Sequence, residues 1–307
     1  AQAILAEAST AQAPQSFAGP SLHPSAAARA VLLAMSNVVE AEVIGVQVEN
    51  APEQVSMVDQ PGFMVYQKTS QCCRCCCLQP NIDWIMHDYK EGWGHEDQLP
   101  IVMNIKEEAN YFGRCCSFCY PGFRQTKYTV RAGESETSPA LFTHEKPFTC
   151  SHCPLVMLSD GGPVRVPCCC CLPYLETRGP DGELLGVSKY VCDSCCFVPK
   201  YSLEDANGNL VYRVRPDTCC GGICVRCRTS GGGRGKCFRI PFIIRNADYE
   251  PVDDAKIEDL WAGMKHECCT NREMYGVKFP AGADDATRKA LIGMTLLIDI
   301  TMNEQDQ

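Results

Sequence analysis

The chain has 307 residues, of which 45% are apolar and 21% charged, so it can bury a sizeable core and is not globally disordered. Its 28 Lys and Arg against 37 Asp and Glu leave a net charge of −9, which argues against a general nucleic-acid binder. No uninterrupted apolar run reaches the ~18–20 residues of an ordinary membrane-spanning helix.

From the N-terminus, residues 1–58 read as an extension. Residues 1–28 are rich in Ala, Gln, Ser and Pro, with Glu7 the only acid and no Lys or Arg. That is neither the Arg-rich pattern of a transit peptide nor a charged segment followed by an apolar one, so a flexible tail is expected. Ala26 to Met35 is expected to form a short helix, and Asn37 to Val48 alternates toward strand.

From residue 59 the texture changes to short β-like runs: Phe63–Tyr66, Ile101–Ile105, Lys127–Val130, Leu184–Tyr190, Leu210–Val214 and Phe238–Ile244. Gly179-Pro-Asp-Gly182 and Asn207–Gly208 separate some of them with residue types that accept tight hairpin turns. Regular short strands with such turns predict an all-β barrel or sandwich.

The C-terminal segment differs. Asp284 and Asp285 can cap a helix over residues 284–303. Its centre, Ala290 to Ile298, is apolar on every face, which requires burial in protein or in lipid. That centre rises only ~14 Å, against a hydrocarbon core of ~30 Å. Arg288, Lys289 and Asp299 bound it. A core helix threaded through a barrel is therefore expected in preference to a transmembrane span.

Cysteine is the compositional outlier, with 24 residues. Many are adjacent, as in Cys75–Cys77 and Cys168–Cys171. Neighbouring Cα atoms sit ~3.8 Å apart, closer than the ~4.4–6.8 Å of a relaxed disulfide. A reducing compartment is expected, with thiols serving as metal ligands or acylation sites. Four C-x-x-C pairs stand out: Cys116/Cys119, Cys150/Cys153, Cys192/Cys195 and Cys224/Cys227. Two thiolates at that spacing can chelate one ion, so one or two structural Zn²⁺ sites are expected, the alternative being buried free thiols. His152, between Cys150 and Cys153, reads as a bystander.

From Arg213 to Arg245 there are eight basic residues and one acid, Asp217, so 8 − 1 gives this segment +7. It suits either an anionic membrane surface or a solvated strand face. Gly231 to Lys236 is no phosphate loop, because Ser230 and Cys237 replace the Gly and the Ser/Thr that such a loop needs. The six histidines show no H-E-x-x-H motif and no evident Cys/His nucleophile pairing.

Two stretches carry a family resemblance. Val198-Pro-Lys-Tyr-Ser-Leu-Glu-Asp-Ala-Asn-Gly-Asn-Leu-Val-Tyr-Arg-Val214 is a hairpin similar to one in the phospholipid scramblases. Tyr275-Gly-Val-Lys-Phe-Pro280, followed by Lys289-Ala-Leu-Ile-Gly-Met-Thr-Leu-Leu-Ile-Asp299, resembles their C-terminal helix region. The resemblance runs from about Gly62 to Glu304 and implies the tubby-like fold: a closed antiparallel β-barrel around a central hydrophobic helix. It implies ATP-independent movement of phospholipids between leaflets, contact with a phospholipid membrane surface, and palmitoylation at Cys168, Cys169, Cys170 and Cys171. It also implies an EF-hand-like Ca²⁺ loop from Asn271 to Gly282, with Glu273, Tyr275, Gly276 and the neighbouring Asp284 as candidate members. That loop is poor in carboxylates for its task, and the alternative is a segment that positions Tyr275 and Phe279 on the barrel. Asp205 to Asn209 reads as a hairpin turn rather than a Ca²⁺ loop. Lys256 to Gly263 aligns with the family's import segment, but Glu258 and Asp259 replace its second basic cluster. The competing functional reading is a non-translocating barrel that serves as a structural or adaptor subunit of a protein assembly. Membrane association facing a reducing compartment is expected, with no nucleic-acid partner.

Overall fold

The structure, a computed structural model, describes residues 57, 59–68, 81–91, 99–109, 124–149, 155–159, 162–166, 172–191, 199–219, 224–225, 239–260 and 273–302. The expected helix at Ala26–Met35, the expected strand at Asn37–Val48 and residue 303 lie outside them.

Twelve strands form a closed antiparallel barrel. In chain order they are β1 (Gly62–Gln67), β2 (Asp83–Asp88), β3 (Met103–Ala109), β4 (Thr126–Ala132), β5 (Ala140–Lys146), β8 (Tyr174–Arg178), β9 (Leu184–Val191), β10 (Lys200–Asp205), β11 (Leu210–Pro216), β14 (Arg239–Arg245), β15 (Pro251–Leu260) and β16 (Met274–Lys278). Two hairpins sit apart from it: β6 (Leu155–Ser159) with β7 (Gly162–Val166), and β12 (Thr218–Cys219) with β13 (Cys224–Val225). Closure comes from β1, which pairs with β2 on one side and β16 on the other. A closed barrel leaves no unpaired strand edge.

The expected turns form where the sequence placed them. Asp205 Oδ1 accepts the backbone N–H groups of Asn207 and Asn209, each at 2.8 Å. Gly208 takes φ +82, the left-handed geometry that a residue without Cβ adopts freely. These bonds fix the β10–β11 hairpin.

The helix α1 (Asp285–Met302) is buried on all its faces from Ala290 to Thr301. Its apolar side chains form one core with inward residues of the barrel strands, among them Val65, Trp84, Ile105, Val130, Phe142, Leu175, Leu203, Val214, Ile244, Ile257 and Val277. The strands alternate accordingly: β10 buries Tyr201 and Leu203 and turns Lys200, Ser202 and Glu204 outward. The helix is therefore enclosed by strands, as its length and all-round apolarity predict. Among the described residues, no helix is long and apolar enough to cross a membrane.

Candidate functional site

Polar contacts fix the helix at one depth and rotation inside the barrel. Near its start, Ser188 on β9 donates its hydroxyl to the Ala290 carbonyl at 3.0 Å. One turn on, Gly293 faces the wall. A Cβ there would lie 2.8 Å from Nδ1 of His144 and 3.0 Å from the Thr177 hydroxyl. His144 and Thr177 are bonded to each other at 3.0 Å, and burial pushes the His144 imidazole down to about 3. Near the helix end, the hydroxyls of Tyr201 and Thr301 meet at 2.6 Å. There also the Tyr275 hydroxyl donates to Asp299 at 3.0 Å, and burial first, then the Asp299 charge, raises the Tyr275 phenol well above its ordinary value.

Arg288 closes the helix entrance. Its Nε donates to the Ala283 carbonyl and its Nη1 to the Met57 carbonyl. A second buried cation, Arg124, places Nη2 3.0 Å from Oε1 of Glu107, whose Oε2 accepts the Ile82 N–H at 2.7 Å. Arg124 is thus paired with a carboxylate, and Arg288 is hydrogen-bonded to backbone carbonyls.

The outer face is charged. Lys127–Glu145, Arg178–Glu176, Lys189–Glu204 and Lys256–Glu258 form ion pairs across it. With apolar residues inward and charges outward, the polarity is the reverse of a barrel whose strands span a bilayer. On β11 and β14 the pattern changes. Arg213 stands directly opposite Arg245 in the ladder, and Arg215 follows two residues along on the same face. Among the described residues, none of these three arginines forms an ion pair with a carboxylate.

Tyr249, in the turn from β14 to β15, lies over this cluster. The Asn246 side chain sets the turn by accepting the N–H groups of Asp248 and Glu250, each at 2.9 Å. Tyr249 takes φ +66, uncommon for a bulky residue, and is 48% exposed. Arg213 donates from Nη1 to the Tyr249 hydroxyl at 2.6 Å, and its guanidinium carbon lies 4.2 Å from the ring centroid. Arg245 donates from Nη1 to the Tyr249 carbonyl at 2.8 Å. The Nε atoms of Arg213 and Arg245 are buried without a hydrogen-bond partner. Burial first, then the Arg215 charge, lowers the Arg245 guanidinium from its ordinary value.

The residues expected as sites distribute unevenly. Cys116, Cys119, Cys150, Cys153, Cys168, Cys169, Cys170, Cys171, Cys192, Cys195 and Cys227 lie outside the described residues, as does Asn271. Cys224 is on β13, where its backbone pairs with that of Cys219, a neighbour the C-x-x-C spacing does not point to. Tyr275 and Gly276 belong to strand β16 rather than to a loop, and Gly276 pairs with Met64 and Glu258. The Tyr275 side chain points into the core, and Asp284 Oδ1 accepts the Thr287 N–H at 2.8 Å as a helix cap. Of the described members, Tyr275 is hydrogen-bonded to Asp299, Gly276 sits in the ladder and Asp284 caps the helix, while the Glu273 N–H donates to Gln67 Oε1 at 3.1 Å. Among the described residues, no group of three or more His, Cys, Asp or Glu side chains is arranged to hold a metal ion.

The sequence marks the segment from Arg213 to Arg245 as basic, but not that two of its arginines face each other. That follows only from the strand register. Tyr249 carries no sequence signal beyond its place in a turn opened by Asn246.

Comparison with known proteins points to one family. A family model described as Scramblase matches residues 101–305. The chain is 27% identical over 165 residues to phospholipid scramblase 1 of Homo sapiens, covering 53% of this chain and 42% of that protein. It is 23% identical over 222 residues to phospholipid scramblase 2 of Homo sapiens, covering 72% and 61%. Similarity to phospholipid scramblase family member 5 of Homo sapiens is 27% over 137 residues, 45% of each chain. The chain thus spans about half the length of the curated relatives it matches. No solved structure matches it significantly.

Proposed function

The chain belongs to the scramblase family, and from that premise we propose that it acts on phospholipids at a membrane surface, moving them between leaflets without ATP. The observation that carries this reading is the family match across 101–305, which takes in the barrel from β3 onward and the enclosed helix. Such movement makes and breaks no covalent bond, so a nucleophile is not required. In this proposal the protein faces a reducing compartment. Acyl chains on Cys168–Cys171 supply the anchor, each buried CH₂ contributing ~0.8 kcal/mol. The C-x-x-C pairs hold structural zinc.

One observation favours a second reading, a non-translocating barrel acting as a structural or adaptor subunit. The space inside the strands is filled by α1, so a headgroup cannot pass through the barrel as it stands. Translocation must then use the outer surface or a partner.

Reconstitution into liposomes with a fluorescent lipid in both leaflets separates the two. Loss of inner-leaflet protection from a membrane-impermeant quencher, with or without Ca²⁺, supports translocation. Retained protection under all conditions favours the adaptor. Zinc analysis of the purified chain, and release of thioester-linked acyl groups by hydroxylamine, test the cysteine assignments.

A further inference from the structure

The arginine cluster on β11 and β14 is not explained by the fold. Like charges directly opposite each other in a ladder are destabilising. Arg213 and Arg245 are such a pair, with Arg215 beside them. Elsewhere on the outer face, lysines and arginines meet glutamates, as in Lys189–Glu204 and Lys256–Glu258. Here, among the described residues, the guanidiniums meet only Tyr249, and two Nε donors are buried without an acceptor. Donors without acceptors and cations without anions ask for the same thing, a multivalent anion.

We propose that Arg213, Arg215 and Arg245, gathered beneath Tyr249, bind the phosphate of an anionic phospholipid headgroup at a bilayer surface. The planar guanidinium fork matches phosphate oxygens, and several forks converging on one group add specificity to charge. The surroundings favour a lipid over a free phosphate ion. Ile243 pairs with Arg215 on the same face, and the exposed Tyr249 ring adds an aromatic body with a polar tip. Cations interleaved with such groups suit the boundary between headgroups and acyl chains. The Tyr249 turn then acts as a cover that shifts when phosphate takes the donors now spent on its hydroxyl and carbonyl. This inference rests on the membrane-surface reading above, and adds to it the face that meets the lipid.

The test uses the full chain and sedimentation with phosphatidylcholine vesicles, with and without phosphatidylserine. At ~1 kcal/mol per cation near the surface, R213Q/R245Q is expected to weaken binding to the phosphatidylserine vesicles about thirty-fold. The control K106Q/K127Q removes the same charge from β3 and β4 and should leave binding unchanged. Because the first variant relieves a like-charge pair, its melting temperature without lipid should not fall. Undiminished binding by R213Q/R245Q, or equal loss in the control, overturns the proposal.

Hydrogen exchange on the unaltered chain gives a second readout that needs no variant. Vesicles should protect residues 213–215 and 245–249, and protection confined to other strands overturns the assignment. Inorganic phosphate that protects the same residues while vesicles do not would make the ligand a free anion, against the proposal. Failure here is distinct from failure of translocation. A chain that binds vesicles through these arginines but moves no lipid keeps this inference and loses the translocating reading. A chain that moves lipid while R213Q/R245Q binds normally does the reverse.

Discussion

Tyr275 on β16 and Asp299 on α1 meet inside the barrel, the phenol donating to the carboxylate at 3.0 Å. This bond joins the last described strand to the last turns of the helix. Asp299→Ala removes an acceptor from a buried hydroxyl and is expected to cost ~1–3 kcal/mol, while Tyr275→Phe, which takes a donor from a buried carboxylate, should cost at least as much. Urea unfolding of the two variants gives the order. Equal and negligible losses would mean the bond contributes nothing.

His144 predicts an acid-sensitive fold. Its imidazole is buried and neutral, with its value lowered from 6.5 to about 3. Between those limits the unfolded chain binds a proton that the folded chain does not. The stability this represents is present above pH 6.5 and lost as pH falls toward 3, at ~1.4 kcal/mol per pH unit. Melting temperatures from pH 7 to 4 should therefore decline less steeply for His144→Gln than for the unaltered chain. Parallel profiles would remove His144 as a cause.

Gly293 predicts a steric limit. Its missing Cβ is what lets α1 lie against His144 and Thr177. Gly293→Ala would help an isolated helix, since Ala is the better helix former by about 1 kcal/mol. Here it should instead destabilise by ~1–3 kcal/mol through overpacking. A rise in melting temperature would show that the wall yields.

Asp284 caps the helix through the Thr287 N–H. Asp284→Ala is expected to cost ~1 kcal/mol and Asp284→Ser to restore most of it, because a serine hydroxyl caps nearly as well. A Ca²⁺ titration followed by thermal melting should show the same dependence in the Asp284→Ser variant as in the unaltered chain. A Ca²⁺ stabilisation lost only in the variant would return Asp284 to a metal site.

Much of the architecture was legible where one segment sufficed. An apolar run too short for a bilayer, bounded by Arg288 and Asp299, announces a helix enclosed by protein. Asn207–Gly208 announces its hairpin, and the alternation in Leu210–Val214 its strand. What was not legible depends on register between distant segments. The candidate Ca²⁺ loop from Asn271 to Gly282 rests on Gly276 at the right spacing, and only register reveals that Met274–Lys278 within it pairs with β1 and β15. The short strands β2 and β8 gave little periodic signal, and β5 carries His144, Glu145 and Lys146 among its seven residues. Of the basic segment, the sequence displayed the charge but not the opposition of Arg213 to Arg245, which exists only once β11 and β14 are side by side.

The order of elements has a kinetic consequence. The first barrel strand pairs with the last, and the helix that fills the centre follows every described strand. During synthesis the sheet would emerge without the apolar mass it wraps, its inner surface wet and its two terminal strands unmatched. Folding of this type is slow and exposes sticky intermediates. Closure around a filled centre must therefore wait for this helix to leave the ribosome, and chaperone retention of the nascent chain until that moment is the expected cellular signature.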